Sequence, residues 1–193
     1  MKAFDDFALV PHEGFNVGFV GSIRYQNQLR MLVDATEGTG IKAIFSGMGK
    51  KGEYEALEGY CSGKDWATLT GPFDFDSEVA GIYAQLDCVY ALYDADNPNV
   101  RILLPNKLYE AAVCGLPLVV AKGTFLAQLV EEWGTGVAVD CHDTDQLREV
   151  LLRLRDDEAF RAEIATNCAR ARERLEKADP ASEYRVLALN CSE

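Results

Sequence analysis

The chain is predicted to fold as an α/β domain of the Rossmann-like, doubly wound kind: a parallel sheet with helices on both faces, followed by a helical extension. Two observations carry this. Short, nearly unbroken apolar runs alternate with segments of helical periodicity, and most runs end at a turn containing glycine. Strands that are apolar on both sides must be covered on both sides, and right-handed crossovers place helices there.

The elements follow in order. "FNVGFVGSI" (Phe15 to Ile23) reads as a first strand, and "QNQLRMLVDATEGTG" as a helix with Leu29, Leu32, Val33 and Ala35 on one side and Gly38 and Gly40 ending it. "IKAIFSGMG" repeats the strand and glycine turn, and "EYEALEGYCSG" is a helix with Tyr54, Leu57 and Tyr60 on one side. "WATLTGPF" is a third strand, "SEVAGIYAQL" a helix starting from an Asp76-Ser77 cap, and "DCVYALY" a fourth strand. Then come helix "NKLYEAAVCG", strand "LPLVVAK", helix "TFLAQLVEEWG" begun by Thr124, and a last strand "GVAVD". Beyond it the chain is helical and charged, with Leu147, Val150, Leu151 and Leu154 as the buried stripe and the alternating charges as a solvated face. After Pro180, "ASEYRVLALN" is expected to form a short helix that wants a partner surface. The expected divisions are a linker or interdomain segment over 1–14, a Rossmann-like domain over 15–155 and a helical extension over 156–193.

Composition narrows the function. With 193 residues, 48% of them hydrophobic, the chain can bury a substantial core. Its net charge of −12 argues against a nucleic-acid-binding face or a broadly basic membrane-docking surface. No signal peptide and no run of membrane-spanning length is apparent, so the chain is expected to be cytoplasmic. Cys61, Cys88, Cys114, Cys141, Cys168 and Cys191 are evenly spread, but their flanking residues share nothing; they read as reduced thiols without a repeat. His12 and His142 are expected to be isolated loop residues, and no metal ligands are assigned.

In open parallel sheets, ligands bind beyond the carboxyl ends of the strands. Four segments of this chain belong to that edge. "GFVGSIRYQNQ" supplies Gly21, Ser22 and Arg24; "FSGMGKKGEYE" supplies Gly47, Gly49, Lys50 and Lys51; "GPFDFDSE" supplies Pro72, Phe73 and an acid; "LLPNKLYEA" supplies Lys107 and Glu110 in the first turn of a helix. Glycines let backbone amides approach a ligand oxygen, and cations complement phosphates, so the inventory suits a nucleoside diphosphate. Each feature also has a purely structural alternative. Glu110 can stabilise the helix start, and Lys107 with Glu110 can be a surface ion pair worth a few tenths of a kcal/mol.

The stretch "PNKLYEAAVCGLPLVVA" resembles the signature of the GT-B glycosyltransferases of family 4, in which a Pro-Asn/Ser-Lys, a Glu-Ala and a Gly-x-Pro-Val segment form the donor-binding helix and the strand after it. "VGFVGSI", "IFSGMGKKGEYEAL", "ATLTGPFDFDSEVAGIYAQLDCVYALYD" and "GTGVAVDCHDTDQLREVLLRL" are similar to other segments of that family's C-terminal domain, in the same order. The resemblance implies one half of a GT-B architecture: the donor-binding domain of a retaining hexosyltransferase that needs no metal at the diphosphate. It implies polysaccharide biosynthesis or a related pathway, with a glycan or lipid-linked acceptor and a nucleotide-sugar donor, UDP-sugars favoured.

By the same resemblance, Glu110 bonds the donor ribose and Lys107 meets the diphosphate, the two being the catalytic candidates. Gly21, Ser22, Arg24, Gly47, Gly49, Lys50, Pro72, Phe73, Asn106 and Leu108 complete the donor site. Two departures stand out. The first glutamate of the family's pair is replaced by Ile102, and Ser22 stands where many members carry a phosphate-binding arginine, with Arg24 as substitute. The resemblance also implies an acceptor-binding N-terminal domain, or a separate subunit, outside this chain; peripheral docking at the inner membrane face would come through it. The alternatives are a non-catalytic binding domain derived from a glycosyltransferase, and half of a nucleotide-sugar epimerase.

Overall fold

The structure, a computed structural model, describes residues 2–5 and 7–177. The strands are β1 (Phe15–Val20), β2 (Ile41–Ser46), β3 (Ala67–Gly71), β4 (Cys88–Ala91), β5 (Leu118–Ala121) and β6 (Gly136–Val139). They form a sheet in the order β3-β2-β1-β4-β5-β6, every neighbouring pair parallel. The helices are α1 (Gln26–Thr36), α2 (Glu53–Cys61), α3 (Phe75–Tyr83), α4 (Pro98–Arg101), α5 (Lys107–Cys114), α6 (Phe125–Trp133), α7 (Thr144–Asp156) and α8 (Glu158–Lys177). The doubly wound α/β fold expected from the sequence is the one observed.

Strand alternation builds two cores. Phe15, Val17 and Phe19 of β1, Tyr90 of β4 and Val119 of β5 point to one face, where Leu29 and Leu32 of α1, Leu57 of α2 and Leu147, Leu151 and Leu154 of α7 cover them. Val20, Val89, Ala91, Leu118 and Val120 point to the other, against Val79 and Tyr83 of α3, Leu108 and Ala111 of α5 and Leu126 and Val130 of α6. Leu29, Leu57 and Leu147 are fully buried, so truncating any of them to alanine would cost about 2–5 kcal/mol.

Details correct the sequence reading in four places. The cap of α3 is Asp74, whose carboxylate accepts the Ser77 amide at 3.0 Å; Asp76 and Ser77 already lie inside the helix. Short α4 was not expected, because four residues carry no readable period; Pro98 in the first turn and an Asn97 side chain accepting the Asn99 amide define it. Val150 is only half-buried beside its three buried leucine neighbours. The charged face of α7 is also not simply solvated. Arg148 donates to the carbonyls of Asp34 and Glu37, both at 2.7 Å, so it satisfies the end of α1, and Arg155 donates to the Thr39 carbonyl.

Before β1, Lys2–Phe4 form a 3-10 turn whose Phe4 ring is buried edge-on against Tyr83, centroids 5.6 Å apart. Cys61, Cys88, Cys114, Cys141 and Cys168 are free and buried; burial pushes the Cys168 thiol up to about 12. Pro180, the "ASEYRVLALN" segment and Cys191 lie outside the described residues. Among the described residues no helix is long and apolar enough to cross a membrane.

Candidate functional site: the crevice between β1 and β4

In this strand order the chain changes direction between β1 and β4, so the loops after those strands diverge and leave a crevice at the carboxyl edge. Gly21 follows β1 with φ +138°, and a Cβ placed there would lie 3.8 Å from Nζ of Lys107. The ammonium at the start of α5 therefore rests over the bare backbone of the first loop. Ser22 and Arg24 are exposed beside it, the Arg24 Nε donating to Ser22 Oγ at 3.0 Å.

Lys107 is held by Glu110, Nζ to Oε2 at 2.7 Å, with side chains 13% and 1% exposed. That same Oε2 accepts the Tyr83 hydroxyl at 2.5 Å. Burial, then the Glu110 charge, raises the Tyr83 pKa well above its ordinary value, so its proton stays on the phenol. A surface pair would leave both members in water; this one is a buried carboxylate with two partners. The fixed donors replace the water that Glu110 has lost, and a carboxylate retains lone pairs for a further donor. Tyr93, just beyond β4, stacks obliquely on Tyr25 with centroids 5.3 Å apart, joining the two walls; burial and then the Glu110 charge raise its pKa as well.

Asn106 precedes α5, exposed, and its side chain makes no cap bond, so the first helical amides have no side-chain cap. Leu108 follows Lys107 on the helix. Its side chain is buried in the core and its amide donates to the Pro105 carbonyl at 3.2 Å. Ile102, standing for the family's first glutamate, is 69% exposed at the end of α4.

The glycines after β2 belong to the same edge. A Cβ on Gly47 would lie 1.8 Å from the Gly21 carbonyl oxygen, and one on Gly49 2.7 Å from the Ile23 carbonyl. The Gly21 amide donates to Ser46 and the Ile23 amide to Met48, so the first two loops prolong the sheet as paired backbone. Their glycines are needed first for that close approach. Lys50 and Lys51 are exposed, the Lys50 amide donating to the Glu53 carboxylate at 2.6 Å. After β3, Pro72 is exposed and Phe73 is half-buried against the core face that holds α3 and α5.

The structure thus brings Gly21, Lys107 and Glu110 together, with Ser22 and Arg24 on the same first loop. Tyr83, Tyr25 and Tyr93 were missed by sequence reasoning. A signal existed for Tyr83: a tyrosine at an apolar helix position needs a partner for its hydroxyl. His12 and His142, expected to be isolated, face Asp87 at 3.4 Å and Asp96 at 3.0 Å.

Comparison with known proteins agrees with this fold. The succinoglycan biosynthesis protein ExoL of Rhizobium meliloti (strain 1021) is 24% identical over 177 residues, covering 89% of this chain and 41% of ExoL. The structure of HepE from Anabaena in complex with UDP-glucose superposes with a TM-score of 0.71 at 20% identity, over 93% of this chain and 49% of HepE. The C-terminal domain of the group 1 glycosyl transferase LpcC from Francisella tularensis superposes with a TM-score of 0.62 at 17% identity, over 80% of this chain and 82% of that domain. The chain spans less than half the length of ExoL and about half that of HepE. The family model for group 1 glycosyl transferases matches residues 14–157, from the approach to β1 to the end of α7, and the chain belongs to that family.

Proposed function

We propose that this chain is the donor-binding half of a retaining hexosyltransferase, holding a nucleotide-diphospho-sugar in the β1/β4 crevice. The observation that carries this is the placement of the Lys107 ammonium over Gly21, with Glu110 buried behind it. In the bound state the Lys107 ammonium receives the diphosphate in the space that the bare Gly21 leaves open, with the uncapped start of α5 directed at the same anion. Glu110 accepts from the ribose hydroxyls, and Lys107 neutralises charge growing on the leaving diphosphate. Arg24 and Lys50 supply further exposed cations at the edge, and Pro72 with Phe73 line the side proposed for the base. HepE is the relative that favours a uridine nucleotide, since its structure holds UDP-glucose.

The acceptor is a glycan or a lipid-linked carrier, bound by an N-terminal domain or a separate subunit, and the reaction requires no metal at the diphosphate. The proposed place of work is the cytoplasm. Because the chain covers about half the length of HepE, it is expected to bind nucleotide but to transfer sugar poorly by itself.

One observation favours a non-catalytic relative instead: Lys107 and Glu110 already satisfy each other, as they would in a pocket kept only as a remnant. A thermal-shift screen of UDP, GDP, dTDP, ADP and their sugar conjugates, on wild type and on Glu110→Gln, separates the two readings. Saturation at a hundredfold over Kd adds about 2.7 kcal/mol to a two-state fold. Stabilisation by one nucleotide, weakened in Glu110→Gln, supports the donor site. A well-folded chain that responds to none supports the remnant.

A further inference from the structure

A second convergence of side chains lies at the same sheet edge, beyond the crevice, and uses none of the donor-site residues. The loop after β4 carries Asp94 and Asp96, and the loop after β6 carries Asp140, Cys141, His142 and Asp143. One ligand-type atom each from Asp94, Cys141 and His142 lies within 4.8 Å of the other two. Asp96 is a fourth neighbour, its Oδ2 3.0 Å from His142 Nε2.

Local bonds hold these groups in place. The Asp94 carboxylate accepts the Asp96 amide at 3.0 Å, and the Asp140 carboxylate accepts the His142 amide at 2.9 Å. Cys141 is buried, whereas His142 and Asp96 are exposed. Charge is the second observation. Asp94, Asp96, Asp140, Asp143 and Asp145 crowd these two loops, and among the described residues none of the five pairs with a lysine or arginine. A thiol, an imidazole and a carboxylate converging among acidic groups that lack a lysine or arginine partner suit a cation, which would displace the thiol proton on binding, and sulfur and nitrogen ligands select a transition ion over magnesium or calcium.

We propose that Asp94, Cys141 and His142 form a binding site for a zinc-type divalent ion, with Asp96 as fourth ligand or outer partner. Ligand atoms around tetrahedral zinc stand roughly 3.3–3.8 Å apart, so the set closes by about 1 Å, a movement within reach of the His142 and Asp94 side chains. An ion there ties the loop after β4 to the loop after β6. Because Asp94 directly follows Tyr93, it also steadies the wall of the crevice that stacks on Tyr25.

The test uses the full chain without a polyhistidine tag, stripped of metal and titrated with cobalt(II) as spectroscopic probe, then with zinc(II) in competition. One equivalent of cobalt should give a thiolate-to-metal absorption band and tetrahedral visible bands, both displaced by zinc. Cys141→Ser should abolish the thiolate band. His142→Ala, at an exposed position that leaves folding intact, should weaken binding at least tenfold, and Asp96→Asn should weaken it about 10- to 100-fold if it is an outer partner. His12→Ala should change nothing. Absence of the thiolate band at one equivalent, or binding of wild-type strength in folded His142→Ala, would overturn the proposal. No nucleotide enters the measurement, so its outcome is independent of the donor-site reading.

Discussion

Two ion pairs of similar sequence spacing show how much position decides. Lys107 and Glu110, three residues apart on α5, meet at 2.7 Å with side chains 13% and 1% exposed. Arg153 and Asp157, four residues apart at the end of α7, meet at 3.8 Å with side chains 61% and 43% exposed. In the sequence both look like helix-surface pairs. The first is buried under Tyr83 at the crossover of a doubly wound sheet, where its partners were chosen by the fold; the second is screened by water, and Arg153 also lies over the Phe160 ring, 3.7 Å from its centroid. A charged pair kept out of water is weak evidence of stabilisation, and so is where a binding role deserves the first test.

That contrast can be broken in graded steps. Glu110→Ala leaves Lys107 and the Tyr83 hydroxyl facing an uncompensated gap, and should lower stability by about 3 kcal/mol. Urea unfolding should show a lower midpoint at unchanged slope. Gly47→Ala probes the other wall: its methyl would meet the Gly21 carbonyl at 1.8 Å with φ at +140°, so a loss of about 2–3 kcal/mol is expected from the same assay. Tyr83→Phe removes one charge-assisted bond while keeping the ring on Phe4, and should cost about 1.5–2 kcal/mol. For Arg153 and Asp157 a double-mutant cycle should return a coupling of only about 0.3 kcal/mol.

A pH dependence comes from the same burial. Tyr83, Tyr90, Cys88 and Cys114 are all raised in the folded chain, first by burial. The unfolded chain therefore loses these protons first, and stability present below the ordinary thiol value of 9.0 should decline as pH rises through it and then through the ordinary tyrosine value of 10.0. Chemical denaturation between pH 8 and about pH 10.5 should show a falling midpoint. A flat profile would mean that these groups titrate from solvent-exposed positions.

The sequence made the layers legible because each strand is short, apolar and closed by a turn, and each long helix shows its buried stripe. It made Gly21, Lys107 and Glu110 legible as a group because all three fall at strand ends or in a helix's first turn, where chain order alone assigns them to one edge. What it hid depended on contact across distance. Tyr83 reaches Glu110 from the far end of α3, and Arg148 closes the end of α1 from α7. His142 meets Asp96 across 46 residues, which no local spacing rule reveals. The inward turn of Leu108 was hidden for the converse reason: it sits beside Lys107 in sequence, but the helix turns its side chain into the core.

The most direct measurement is calorimetric titration of the wild-type chain with UDP, UMP and uridine, repeated on Lys107→Met. If the crevice holds a diphosphate under the Lys107 ammonium, wild type should bind UDP at least tenfold more tightly than uridine, and Lys107→Met should erase most of that difference while leaving uridine binding nearly unchanged. Equal affinity for UDP and uridine, or a UDP affinity untouched by Lys107→Met, would contradict a diphosphate site between Gly21 and α5.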